Sequence, residues 1–203
     1  MTQDVSNSTR PAIAQTGTDQ CIHVRRSRTK PCGEFIYLGM QIDPSCSATP
    51  EVRRRCDIAC AVFYSLNTLW RSSSIATDVK GRLYCALVLS VMCFNAEVWP
   101  ISDSGATYLE GVHFRLLRRI VAKTPDEPLT RDRVLRLTNV PSVSALLCQK
   151  RLRWVGHGLR RAPTNRSRLS VLEQLNKPKT RWTQLVQLDC DVANISFRNL
   201  DHL

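Results

Sequence analysis

The sequence predicts a mainly α protein, a helical bundle preceded by a short β-hairpin or strand element. Three stretches carry that expectation. Thr77 to Trp99 reads TDVKGRLYCALVLSVMCFNAEVW, and its middle, Leu83 to Ala96, holds no charge and is apolar on almost every side. The run is shorter than the roughly 20 apolar residues a bilayer requires and longer than the usual strand of about 4–8 residues. A helix apolar all round must be buried on every side, so this one is expected at the centre of the bundle. From Val52 onward apolar residues recur at helical spacing, whereas the aromatic and β-branched run Glu34 to Ile42 carries a strand signal.

In chain order, the polar first 19 residues, rich in Ser, Thr and Gln, are expected to be disordered. Ile22 and Val24 alternate with His23 as a strand would. A basic, turn-like insert follows, with Arg25, Arg26, Arg28 and Lys30 leading to Pro31. In Glu34 to Ile42, Gly39 marks a bulge or bend before Asp43-Pro44-Ser45. Thr49-Pro50-Glu51 opens the first helix, with a capping hydroxyl, a proline at the first helical position and an acid in the first turn. Its apolar stripe is Val52, Cys56, Ala59, Phe63, Leu66 and Trp70, widened by Ile58, Val62 and Leu69.

After Pro100, Ser102 or Asp103 caps a helix whose stripe is Leu109, Val112, Leu116 and Ile120, joined by Leu117 and Val121. Thr124-Pro125-Asp126-Glu127-Pro128 breaks it. A short helix, Thr130 to Thr138, and the turn Asn139-Val140-Pro141 lead to a longer one with Cys148, Leu152, Val155 and Leu159 on one face. A last helical stretch is expected from Thr183 to Leu188. The implied organisation is a leader at 1–19, a strand-rich element at 20–45, a helical core at 46–124, a basic helical region at 125–188 and a tail at 189–203.

Charge is the main functional signal. The 203 residues carry a net +12, yet residues 111–182 alone hold 17 Lys/Arg against 4 Asp/Glu. All the excess therefore lies in one block, which points to a polyanionic partner, nucleic acid before a membrane surface. Candidate phosphate contacts are Arg53, Arg54 and Arg55, which sit within one turn and are expected to point mostly outward. Arg115, Arg118 and Arg119 flank the next stripe. Lys150, Arg151, Arg153, Arg160 and Arg161 dominate the basic helix, and Lys177, Lys179 and Arg181 follow it. Each group also fits a merely solvated helix face. Trp154 and His157 lie three apart, and they fit either a core tryptophan with a hydrogen-bonded histidine or base stacking beside phosphate contacts.

Other classes lack their residues. There is no phosphate-cradling glycine loop, no G-x-S-x-G and no H-E-x-x-H. Asp189 and Asp191 are two apart without a third acid nearby, a weak basis for two-metal chemistry. In a reducing setting the nine cysteines are expected as free thiols, and without a C-x-x-C pair no metal or other cofactor is expected. Without an apolar leader at the start, an intracellular setting, nuclear or cytoplasmic and not secreted, is the expectation. Neither a membrane nor a small-molecule ligand is implied.

Six motifs, in order, also resemble a known family. They are Phe35-Ile36-Tyr37-Leu38-Gly39; Glu51-Val52-Arg53-Arg54-Arg55 with Phe63, Leu66 and Trp70; Leu87 to Trp99, ending Ala96-Glu97-Val98-Trp99; Leu116-Leu117-Arg118-Arg119-Ile120; Arg151-Leu152-Arg153-Trp154-Val155-Gly156-His157; and Lys177-Pro178 with Arg181-Trp182. From about residue 20 to 188 the chain resembles the region just after the catalytic palm in reverse transcriptases of non-LTR, LINE-type retrotransposons. The resemblance implies a thumb-like helical bundle that grips a DNA or RNA–DNA hybrid duplex through its backbone. It implies that the strand-rich element packs at the base of the palm. It also implies that the metal-binding palm aspartates of the RNA-directed DNA polymerase lie upstream of this stretch, making it a fragment without catalysis of its own. Two positions depart from the family pattern: Asn176-Lys177-Pro178 stands where a Gly-Arg-Pro triplet is usual, and Asn95 where a Gly is usual. A protein-interaction module derived from such an element is the alternative.

Overall fold

The computed structural model describes residues 22–24, 27–29, 33, 35–42, 45–121, 128–177, 180–197 and 200. The chain divides into two units, Met1–Gly33 and Glu34–Leu203. In the first, β1 (Ile22–Val24) pairs antiparallel with β2 (Ser27–Thr29), Ile22 opposite Thr29 and Val24 opposite Ser27. Part of the expected basic turn is therefore a strand. The leader at 1–19 and the breaker Thr124-Pro125-Asp126-Glu127 lie outside the described residues.

The second unit opens with a tight hairpin, β3 (Phe35–Tyr37) against β4 (Met40–Ile42). Leu38 and Gly39 form its two-residue turn, both at positive φ, 47° and 80°. That twist matches paired strands, so Gly39 makes the turn and not a bulge within a longer strand. After the hairpins the chain is helical, and the protein is mainly α.

In α1 (Thr49–Ser65) Pro50 sits in the first turn and Glu51 is acidic there, but Thr49 is already helical and Ala48 stands at the cap without a side-chain bond. Val52, Cys56, Ala59 and Phe63 are buried as the spacing predicts. Leu66 separates α1 from α2 (Asn67–Arg71), and Trp70 folds back onto Phe63 with rings stacked 5.1 Å apart. Its indole donates to the Phe63 carbonyl at 2.7 Å.

The apolar run is one unbroken helical stretch from Thr77 to Met92 with a π-helical widening in its middle. It starts as α3 (Thr77–Tyr84), widens into a π-helical turn at Cys85–Leu89 and continues as α4 (Ser90–Met92). Asn95, at φ 56°, then turns the chain into a 3-10 turn at Ala96–Val98. All-round burial does not hold. Tyr84, Val88, Leu89, Met92 and Cys93 are buried, while Leu87 and Phe94 stay 41% and 40% exposed. The reason is the number of neighbours: α1, α5 (Asp103–Ile120) and α6 (Arg131–Thr138) pack on the other sides. Only Gly81 allows α6 so close, since a Cβ there would lie 1.8 Å from the Thr138 carbonyl oxygen.

Ser102 caps α5 by accepting from the Gly105 N–H at 3.1 Å, and Thr130 caps α6. Ser142 caps α7 (Val143–Leu159), and the Glu110 carboxylate of α5 accepts from the Val143 N–H and the Ser144 hydroxyl. An acid on one helix thus satisfies the positive end of another. Then come α8 (Arg166–Leu175), capped by Asn165, and α9 (Arg181–Val192), capped by Thr180. The main core runs from Ala48 to Leu147, across the boundary expected near residue 124. A second, smaller core gathers Val155, Leu159, Val171, Trp182, Val186 and Cys190.

Candidate nucleic-acid interface

Burial sorts the predicted cations into two kinds. On α1 only Arg53 points fully outward. Arg55 is buried, donates through Nε to Glu51 at 2.6 Å and through Nη2 to the Gly39 carbonyl, and stacks over Phe94 at 4.2 Å. Arg54 donates to Glu51 and to the Gly39 carbonyl, each at 3.1 Å. Glu51 is itself buried and accepts from the Gln41 N–H at 2.9 Å. These charges clamp the β3–β4 turn onto α1. The outward reading therefore fails for Arg55, because two hydrogen bonds, one to a buried carboxylate a helical turn away and one to the Gly39 carbonyl, hold its guanidinium inside.

Arg151 is the second correction. It is buried and gripped by Asp189 of α9 at 2.5 Å through Nε and 2.9 Å through Nη2. A paired, buried guanidinium cannot reach a phosphate. The same contact removes Asp189 from metal chemistry, and Asp191 is exposed beside it. Among the described residues no group of three or more His, Cys, Asp or Glu is placed to hold a metal ion. Arg181 bonds the Ile101 carbonyl and Asp103, Lys150 bonds Glu97 at 3.4 Å, and Lys177 bonds Glu173 at 2.7 Å. Lys179 lies outside the described residues.

The other cations are exposed, and among the described residues they form no ion pair. Arg115, Arg118 and Arg119 occupy the solvent side of α5 because Leu116, Leu117 and Ile120 take the core side. Aromatic rings order two of them: Arg119 lies 5.2 Å from the Tyr64 ring of α1 and Arg118 5.6 Å from Phe114. Arg131, not singled out from the sequence, approaches Phe114 at 5.6 Å as well. A guanidinium held over a ring keeps its edge free for an oxyanion. Arg115 is close enough to Cys56 and Cys60 to oppose the rise of their thiol pKa values, though burial still pushes Cys56 up to about 12.

A second basic site lies on α7. Lys150, Arg153, Trp154, His157 and Arg160 border a cleft of about 350 Å³ with Glu97 at its edge. Arg160 lies back across Gly156, where a Cβ would be 2.9 Å from Nη1. The Arg161 guanidinium lies 2.7 Å from His157 Nε2 and donates to it. Trp154 is 38% exposed, so it is not a core tryptophan. The helical region expected at 125–188 contains α8 but neither delimits it nor singles out its Arg166 and Arg168; Asn165 as a cap two residues after Pro163 is the signal that marks its start.

No protein-family model matches the chain, and no solved structure matches it. The chain is similar to a transposon-derived protein. The relative is an uncharacterized transposon-derived protein of Caenorhabditis elegans, 29% identical over 134 residues, covering 63% of this chain and 47% of the relative. The chain thus spans about half the length of that relative. No helix among the described residues is long and apolar enough to cross a membrane.

Proposed function

We propose that this chain is the thumb and downstream region of a non-LTR retrotransposon reverse transcriptase, and that it grips a template–primer duplex through backbone phosphates without reading sequence. The observation that carries this reading is the row Arg115, Arg118 and Arg119 on the solvent side of α5. These are positive charges with no ion pair among the described residues, two of them ordered by aromatic rings. Arg53, Arg153 and Arg160 extend the exposed basic surface. Similarity to a transposon-derived protein and the six ordered motifs support the origin. The exposed side chains of Phe35, Ile36, Tyr37 and Leu38 fit a hairpin that a palm would cover in the intact element. On this reading nucleotide transfer belongs to that palm, and this stretch supplies grip.

Salt-dependent binding tests it. Affinity for duplexes of unrelated sequence should be equal and should fall steeply with salt, since each neutralised phosphate releases close to one counterion. Replacing Arg115, Arg118, Arg119 and Arg153 with Ala should flatten the log–log salt slope by about 3–4, from roughly 0.9 per contact. Helix content should not change, because all four side chains are exposed. A parental slope in that variant would leave the arginines as a solvated face and favour a protein-interaction module.

A further inference from the structure

Trp154 borders two spaces. One side meets the basic cleft described above. The other forms a wall of a separate cavity of about 550 Å³ between the 3-10 turn, α7 and α8. Val98, Pro100, Val171 and, from α9, Trp182 are its remaining apolar walls, while Arg166, Ser170 and Gln174 supply polar groups.

Packing fixes these walls before any ligand arrives. Gly158 lets α8 close on α7, since a Cβ there would lie 2.7 Å from Val171. Trp182 is buried and its indole donates to the Glu97 carbonyl at 2.8 Å. Asn165 sets the start of α8 by accepting from the Ser167 N–H at 2.9 Å. A preformed cavity with mostly apolar walls and a few convergent polar groups is how small-ligand sites are built.

Its chemistry selects a flat, hydrogen-bonding ring attached to an anion. An indole face offers stacking to any base. Gln174 can donate and accept, Ser170 can do either, and both can meet the edge of a heterocycle. Arg166 stands in the cavity lining, and Arg153 and Arg160 stand across Trp154 in the cleft. A free inorganic anion would have no use for two indoles, and a purely apolar peptide face would leave the amide and hydroxyl unpaired.

We propose that the cavity between Trp154 and Trp182 takes up an unpaired nucleobase at the end of a bound duplex. The base stacks on Trp154, and the flanking phosphates lie on Arg153, Arg160 and Arg166. The proposal rests on the grip reading above and adds a site for a single-stranded end.

The test uses the full chain and three labelled probes of one paired sequence: a blunt duplex, the same duplex with a short tail of intact nucleotides, and the same duplex with an abasic tail of equal phosphate count. The intact tail should bind more tightly than the abasic tail by roughly 5–150-fold, the range for stacking one base. Trp154→Ala should erase that difference. Trp154→Phe, which keeps a ring, should retain most of it. Ser170→Phe, at an exposed position on α8, should fill the cavity and erase it with Trp154 intact. Equal binding of intact and abasic tails by the parent chain would overturn the proposal while leaving the grip standing. So would a Ser170→Phe variant that keeps the full preference, because stacking would then occur in the open cleft. A chain that binds none of the probes at low salt removes the grip reading itself, and this one with it.

Discussion

Asp189→Ala should be strongly destabilising although Asp189 lies near the end of the chain. Arg151 and Asp189 have side chains only 6% and 9% exposed, and they meet through two hydrogen bonds. Among the described residues, Arg151 Nη1 already has no hydrogen-bond partner. Removing the carboxylate would leave the whole guanidinium buried without an acceptor, and breaking one side of such a pair costs about 3–5 kcal/mol. For a chain of this size each kcal/mol lowers Tm by about 2–4 °C, so a drop of roughly 6–20 °C is expected. Urea unfolding followed by circular dichroism measures the same loss. The double variant Arg151→Met/Asp189→Leu replaces both charges with apolar groups and should recover most of it. It should also bind nucleic acid with the parental salt slope, since Arg151 faces Asp189 and not solvent. If Asp189→Ala costs under about 1 kcal/mol, the pair is solvated and the argument for excluding Arg151 from the interface fails.

Four further outcomes are expected. Burial pushes His113 down to about 4 from 6.5, against the opposing Glu110 carboxylate and Pro141 backbone, and its Nδ1 meets the Tyr84 hydroxyl at 3.0 Å. Between those pH values the unfolded chain binds a proton that the folded chain refuses, so stability should fall by up to about 3 kcal/mol as pH drops through that window. His113→Gln should remove that part of the slope in paired urea titrations. Gly81→Ala should destabilise strongly and loosen α6, visible as faster hydrogen exchange in Arg131–Thr138, because its Cβ would meet a backbone oxygen at 1.8 Å; parental exchange rates would refute the close approach. Asn95→Gly should be neutral and Asn95→Ala should cost about 1 kcal/mol, since the position requires a left-handed backbone; equal stabilities would show the turn relaxes freely. Burial raises the Cys56 and Cys93 thiols to about 12 and Cys190 to about 11. Site-mapped alkylation of native protein near neutral pH should therefore label exposed Cys46 well before them, and equal rates would contradict the packing.

The sequence made several local features legible because their causes are local. A stripe such as Val52, Cys56, Ala59 and Phe63 repeats with the helix, so burial follows from periodicity. Ser102, Thr130 and Asn139 announce helix ends through the backbone groups they satisfy or the conformation they tolerate. The Asn95 position, where the resembled family usually carries Gly, does turn left-handed. The limits of short α8 were not legible because its apolar residues, Leu169, Val171, Leu172 and Leu175, are bracketed by polar ones over few turns.

Sequence alone determined that positive charge concentrates in residues 111–182 and that the chain is mainly helical. Which of those charges face outward was decided by the tertiary structure. Carboxylates at Glu97, Asp103 and Asp189, all outside the block, fold back onto Lys150, Arg181 and Arg151, while Glu51 holds Arg54 and Arg55. No periodicity reveals such pairs, because partners as far as 78 residues apart in sequence meet only after the helices have packed. The run from Leu83 to Ala96 shows the same limit. Its composition required burial of a helix, but the number of sides covered depends on how many neighbours the fold brings, and here Leu87 and Phe94 remain at the surface.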